Sequence, residues 1–334
     1  MLMFFLFVLT AVVGIGGAYL NLMVWADLPL TPGAGKDKVF TLFPGQGPKQ
    51  AALSLEKEKL VSNAFRFVLL ARIEGKDKKL KAGDYLLSTA MSPRKILDNM
   101  AKGRVYLHRV TIPEGYTLVQ IADVVAAAGL SDAVQFLNTA RDPEVVQKMG
   151  IVAETLEGYL FPDTYYFPRG LDPADILFTM VKRFRAAFTP EREARAKELG
   201  MTLHEVVTLA SIVEKETGVP EERALVSSVF HNRLKKGMRL ETDPTVIYGI
   251  PNFDGDIRRH HLTTYTPYNT YKITGLPPGP IASPGTLAIH ATLYPAETDF
   301  LYFVAKGNGT HYFSHTYAEH NRAVIRYQLK NTSR

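Results

Sequence analysis

The first 26 residues carry no charged side chain, and the earliest one is Asp27. Wound as a helix at about 1.5 Å per residue, such a run exceeds the roughly 30 Å hydrocarbon thickness of a bilayer. No other feature constrains the fold as strongly, because a backbone in hydrocarbon must satisfy its polar groups within the segment. Gly14, Gly16 and Gly17 would weaken a helix in water and are tolerated in lipid, while Tyr19 and Trp25 suit the interface near the outer end. No Lys or Arg precedes the run and Lys36 and Lys38 follow it, so flanking charge gives orientation little guidance. A cleaved signal peptide is the competing reading, with Val24, Trp25 and Ala26 as small or apolar residues near a cleavage point. Because the run is longer than a usual signal h-region, an uncleaved anchor over residues 1–26 is the expectation.

A chain of 334 residues leaves room for one large or two ordinary domains after such an anchor. Hydrophobic residues at 46% and charged residues at 22% exclude a disordered chain. The absence of cysteine excludes disulfides, a thiol nucleophile and thiolate metal sites. The formal charge of +6 is spread without any run that resembles a nucleic-acid arm, so no nucleic-acid partner is expected. The balance fits either a solvated, mildly basic surface or attraction to an anionic polymer.

A Pro- and Gly-rich linker occupies residues 27–37. A strand signal at 39–43 ends in the turn Pro44, Gly45, Gln46, Gly47, and a similar strand at 109–112 runs into Pro113, Glu114, Gly115. The two stretches also end alike, with KAGDYL (81–86) matching LEGYL (156–160). Between these edges lie helix signals. Thr117 with Gln120 reads as a capping box stopped by Gly129, and Ser92 with Pro93 opens a helix closed by Gly103. Each copy therefore reads as a βααβ unit. The first, over 38–103, resembles a LysM-type glycan-binding module, and 104–168 is a candidate second repeat. Asp172 with Pro173 and Thr189 with Pro190 start further helices, Gly200 stops the second, and the final third reads as strands and loops before a helical pattern at 317–329. Helices and strands are segregated, which gives an α+β class.

One helix concentrates chemistry. Thr202 and Glu205 form a capping box, Met201 can staple against Val206, and Gly218 and Pro220 end the helix. Leu203, Val206, Val207, Ala210 and Val213 make an apolar stripe that Leu209 and Ile212 widen. Glu214 and Glu216 both fall on this broad arc, roughly 200° apart, while Ser211 and Lys215 point to solvent. Periodicity does not choose between the two acids. Both lie in the last turn, where the helix dipole disfavours a carboxylate and raises its pKa toward general-acid range.

Asp243, extended before Pro244, is a rival second carboxylate on a loop, or a turn aspartate bonding its own backbone. Tyr248, Asn269 and Tyr271 offer aromatic faces and an amide suited to a sugar, and equally suit core or turn roles. Arg233 reads as a structural ion-pair partner. The stiff loop Pro277, Pro278, Gly279, Pro280 is a cleft wall or a connector. His311 and His315 would stand about 13 Å apart on a strand, too far to share an ion, and with no Cys to assist them or His320, no metal is expected. His260 and His261 read as surface residues. No Gly-rich phosphate loop and no serine nucleophile elbow is present, so no cofactor is expected.

Five blocks in fixed order carry a family resemblance: ASIVEKET (210–217), SVFHNRL (228–234), TDPTVIYG (242–249), TPYNTY (266–271) and GLPPGPIASPG (275–285). Together they resemble the endolytic murein transglycosylases of the MltG (YceG-like) family, and the likeness covers nearly the whole chain after residue 30. It implies a catalytic domain over 104–334 and the second glutamate, Glu216, as the acid. Glu214, Thr242, Asp243, Tyr248, Asn269 and Tyr271 would be supporting or substrate-binding residues. It further implies cleavage of peptidoglycan strands with 1,6-anhydro ends, action beside penicillin-binding glycan polymerases, and a single-pass protein of the inner membrane with its catalytic domain on the periplasmic or outer face. The chain departs from the family in lacking a basic N-terminal flank and in placing His231 where apolar residues are common. A water-using muramidase with Glu216 and Asp243 as its pair, and a non-catalytic glycan-binding scaffold, are the rival readings.

Overall fold

The computed structural model describes residues 1–251 and 253–329, so the last five residues of the expected catalytic domain lie outside the described residues. The chain divides into two compact units: Met1–His108 with Tyr166–Gly170, and Arg109–Tyr165 with Leu171–Arg334. The class is mixed α+β, with three two-stranded sheets among helices.

The first unit opens with α1 (Leu2–Asp27), an apolar helix long enough to cross a membrane. β1 (Asp37–Leu42) is followed by α2 (Pro48–Lys57), α3 (Ala64–Ile73), β2 (Gly83–Ser88) and α4 (Pro93–Lys102). β1 and β2 pair antiparallel, with Phe40 opposite Tyr85. Phe40, Leu55, Phe67, Leu70, Tyr85, Leu97 and Met100 form the buried core that these elements enclose. Ser92 caps α4 by accepting the Lys95 N–H, and Gly103 ends it at φ 67°, a left-handed conformation that glycine adopts without steric cost. The segment after α1 is tied down: the Thr31 N–H donates to the Thr89 carbonyl at 3.0 Å. A Cβ on Gly35 would collide with Ser88 and Ala90, so only glycine permits that close approach.

After β3 (His108–Thr111) the second unit carries α5 (Leu118–Ala127), α6 (Ala133–Ala140) and α7 (Pro143–Lys148); β4 (Thr164–Phe167) follows, its last two residues belonging to the first unit. The Thr117–Gln120 capping box that opens α5 is present. α8 (Pro173–Ala187) and α9 (Pro190–Glu198) start at the prolines the sequence marks. α10 (Leu203–Glu216) packs against α9, against α11 (Arg223–Lys235), α12 (Asp243–Tyr248) and α14 (Thr286–Leu293), with α13 (Arg259–Thr263) between the last two in sequence. β5 (Tyr302–Ala305) and β6 (His311–Ser314) pair antiparallel, and α15 (Tyr317–Val324) packs on both.

The final third carries short helices within its strands and loops: α12, α13 and α14 stand beside one two-stranded sheet, and α15 forms where the helical pattern was expected. One expectation needs correction. Ser211 does not face solvent: every residue from Val206 to Val213 is buried, because α10 is covered on all sides by its neighbours. The Ser211 hydroxyl is satisfied there, donating to the Thr208 carbonyl at 2.7 Å and accepting the Ile281 N–H at 3.0 Å.

Candidate active site

α10 is buried from Val206 to Val213, and its two glutamates leave it in different directions. Glu214 Oε1 accepts from the Arg223 guanidinium at 3.1 Å and its Oε2 accepts the Gly285 N–H at 2.9 Å. Both oxygens are committed and the side chain is only 6% exposed. Glu114 stands 3.9 Å from the same guanidinium. A carboxylate so paired ties α10 to α11 and to the start of α14, and it does not line the cleft described next.

Glu216, the last residue of α10, lines a cleft of about 400 Å³ together with Arg233, Glu241, Asp243, Tyr271, Tyr302 and His320. Burial pushes its carboxyl up to about 7; the neighbouring Asp243 adds to that rise, and a hydrogen bond from the Thr242 hydroxyl opposes it. The Thr242 bond is to Oε1, and Oε2 accepts none among the described residues. Thr242 is itself fixed, buried with its N–H on the Thr270 hydroxyl at 3.0 Å.

Asp243 is the first residue of α12 and not part of an extended loop as its position before Pro244 suggested. Proline is favoured in the first turn of a helix, so the same dipeptide starts a helix when tertiary packing supplies the rest. Its Oδ1 accepts from the Tyr271 hydroxyl at 2.7 Å, which holds both groups at the cleft. Burial and then this carboxylate push the Tyr271 phenol up, so it stays a neutral donor. Arg233 forms the expected ion pair, with Glu241 at 3.1 Å, donates to three backbone carbonyls and lies 4.9 Å from the Tyr302 ring centre.

Two of the sugar-binding candidates lie elsewhere. Asn269 is fully buried: its amide nitrogen donates to the carbonyls of His261, Leu262 and Thr264, and its oxygen accepts the Tyr271 N–H. That is a turn-fixing role that exhausts its hydrogen-bonding groups. Tyr248 lines a second cavity of about 460 Å³ with Glu157, His204, Tyr268 and the Pro278 to Pro280 loop. Its hydroxyl donates to Glu157 Oε2 at 3.1 Å. The proline loop is therefore a wall of this second cavity, held by His204, whose Nε2 lies 2.7 Å from the Pro278 carbonyl.

Glu157 escaped sequence reasoning, although LEGYLF offered a signal: its neighbours Leu156, Tyr159, Leu160 and Phe161 are all buried, and an acid inside such a run must be buried with a partner. Arg223 and Tyr302 were missed too, and His320, weighed only as a metal ligand, lines the cleft. The Nδ1 of His320 is buried without a hydrogen bond among the described residues, and burial followed by the Arg233 charge pushes this imidazole down, so it is neutral. His311 is held by Glu222 at 2.7 Å and His315 by Asp299 at 2.7 Å.

The profile of the YceG-like family matches residues 40–326, and the chain belongs to that family. It is 34% identical to the endolytic murein transglycosylase of Bacillus subtilis strain 168, an alignment that covers 85% of this chain and 82% of the relative. It is 30% identical to the endolytic murein transglycosylase of Streptococcus pneumoniae serotype 2, covering 89% of this chain and 59% of that longer protein. Among solved structures, a YceG-like protein of Listeria monocytogenes superposes with a TM-score of 0.60 at 36% identity, covering 86% of this chain and 99% of that one.

Proposed function

We propose that the protein is an endolytic peptidoglycan lytic transglycosylase that cuts the β-1,4 bond between N-acetylmuramic acid and N-acetylglucosamine inside glycan strands. The observation that carries the reading is Glu216: a carboxyl raised to about 7 at a cleft wall, with one oxygen held by Thr242. Near neutral pH a large fraction of such a group is protonated, which suits a general acid. With Oε1 accepting from Thr242, the proton resides on Oε2, the atom available to a sugar.

The reaction follows from one acid used twice. Glu216 gives its proton to the leaving O4 as the C1–O4 bond breaks. The resulting carboxylate takes the proton of the C6 hydroxyl on the same muramic residue, and O6 closes on C1. The acid is regenerated, no water is consumed, and the product ends in a 1,6-anhydro sugar. The internal nucleophile lowers the barrier by proximity. The Asp243 carboxylate, held by Tyr271, favours positive charge developing at C1.

One observation favours a second reading: Asp243 lines the same cleft and interacts electrostatically with Glu216, as the two carboxylates of a muramidase would. Digestion of purified sacculi followed by mass spectrometry separates them. The transglycosylase gives internal fragments of mixed length whose new ends are one water lighter than reducing ends; predominantly reducing ends would establish the muramidase.

The same proposal places α1 as a single-pass anchor in the inner membrane, with the second unit on the outer face, where glycan polymerases of the penicillin-binding class would supply strands. Within it, the segment 38–103 is a LysM-like glycan-binding subdomain, supported by the order β1, α2, α3, β2 with its outer strands paired. Hydrogen exchange of the full chain with N-acetylglucosamine oligomers tests this. Protection should appear in 38–103, and protection confined to the second unit would leave that segment a packing role.

A further inference from the structure

α1 does not stop clear of the protein. Leu22 and Ala26 are buried in the first unit, Trp25 Nε1 donates to the Ser62 hydroxyl at 2.7 Å, and Asp27 pairs with Arg94 at 2.7 Å. The stretch of α1 left exposed runs from Met3 to Asn21, a rise of about 29 Å at the helical repeat, which matches the hydrocarbon core of a bilayer. On the anchor reading of α1, the first unit therefore begins where hydrocarbon ends, with no spacer between.

α3 starts at that level, since its Arg66 guanidinium lies 6.0 Å from the Trp25 ring. Phe65, Leu69 and Ile73 recur every fourth residue and are 77%, 38% and 46% exposed, although Phe67, Leu70 and Ala71 of the same helix are fully buried. At about 100° per residue the three make one apolar stripe, and Arg66 and Arg72 fall roughly 20° beyond its two edges. Charge is concentrated in the same unit: residues 27–108 hold 15 Lys and Arg against 8 Asp and Glu, whereas residues 109–334 hold 24 against 25. The basic balance that looked evenly spread along the sequence belongs to the part next to α1.

We propose that α3 is an interfacial helix that seats on an anionic lipid bilayer, Phe65, Leu69 and Ile73 entering the headgroup boundary and Arg66 and Arg72 meeting lipid phosphates. An apolar face bordered by arginines is what such a surface binds. The occupant is lipid, and not a second copy of the chain, because the stripe adjoins the end of a helix whose exposed length, on the anchor reading, lies in a membrane, and because a basic surface repels its own copy. The consequence is that the first unit is docked and does not swing on a tether.

The absence of cysteine makes the test direct. The full chain is reconstituted in vesicles of phosphatidylcholine with and without phosphatidylglycerol, carrying one environment-sensitive fluorophore at Phe65→Cys, Leu69→Cys or Ile73→Cys. Val13→Cys serves as an internal marker in α1 and Val152→Cys, 90% exposed, as a solvated reference. Lipids spin-labelled near the headgroup should quench the α3 positions at least threefold more than Val152, and more strongly with phosphatidylglycerol present. Quenching at Val13 by lipids spin-labelled deep in the acyl chain, with α3 no different from Val152, would overturn the docking and leave the anchor intact; no quenching at Val13 by those lipids would overturn both. Shielding of α3 from aqueous iodide without lipid quenching would mean that protein covers the stripe, against the proposal. Equal quenching in purely zwitterionic vesicles would overturn the preference for anionic lipid.

Discussion

Two glutamates in the second unit, Glu157 and Glu216, are both pushed up to about 7 by burial, yet they are built for different work. Glu157 accepts the Leu118 N–H with both oxygens, at 3.0 and 3.1 Å, and the Tyr248 hydroxyl as well. It sits over the first turn of α5, where a helix favours negative charge, and ties three chain segments together. Glu216 accepts a single hydroxyl, from Thr242, and keeps its second oxygen for the cleft. A raised carboxyl therefore says only that its surroundings disfavour the charged form; whether the proton is useful depends on how many donors already claim the oxygens.

The largest effect that would sharpen this contrast is on turnover. Glu216→Gln keeps size and removes the transferable proton, so release of anhydro ends from sacculi should fall by about 10³-fold, within the range general acids provide. Glu157→Gln should retain activity within about threefold. Stability should reverse the order of interest. A carboxyl raised in the folded state holds a proton that the unfolded chain releases above its ordinary value of 4.5. Stability from Glu157 is thus complete below about pH 4.5 and lost as pH rises through about 7, on the order of 3 kcal/mol at most. Glu157→Gln should flatten the decline of the melting temperature between pH 5 and 8, and should be less stable than the parent at pH 5, where the new amide nitrogen meets the Leu118 N–H. Comparable loss of cleavage in both variants would break the comparison.

The sequence made legible what adjacent residues decide. The caps at Thr117, Ser92 and Thr202 and the left-handed stop at Gly103 are local hydrogen-bond patterns, and each is present. Ser211 was misread because periodicity assumes one open face, and α10 has none over Val206 to Val213. α12, α13 and α14 are 6, 5 and 8 residues long, too short for a 3.6-residue pattern to register. The difference between Glu214 and Glu216 was hidden for another reason. It rests on Arg223 and Gly285 on one side and Thr242 on the other, contacts that exist only once four segments have packed. Tyr248 and Asn269 are sugar-binding types by chemistry, but tertiary placement sends one to the Glu157 cavity and the other into a turn.

A smaller effect probes how the Glu216 carboxyl is set. Asp243 raises it by charge and the Thr242 hydroxyl lowers it by hydrogen bonding to the ionised form, so removing each should move the pH dependence in opposite directions. The rate should fall as pH rises through about 7, because the acid must be protonated to donate. In Asp243→Asn the alkaline limb of kcat/KM should shift down by about half a pH unit, and in Thr242→Val up by a similar amount; each such half unit corresponds to about 0.7 kcal/mol between the two protonation states. Turnover at pH 6, where the acid is mostly protonated in all three proteins, should change by no more than about tenfold. That modest loss is what a carboxylate supporting charge at C1 would cause. An Asp243→Asn variant as inactive as Glu216→Gln, with reducing ends in what product remained, would instead make Asp243 the partner of a hydrolase, and the paired carboxylates rather than the single acid would then define the site.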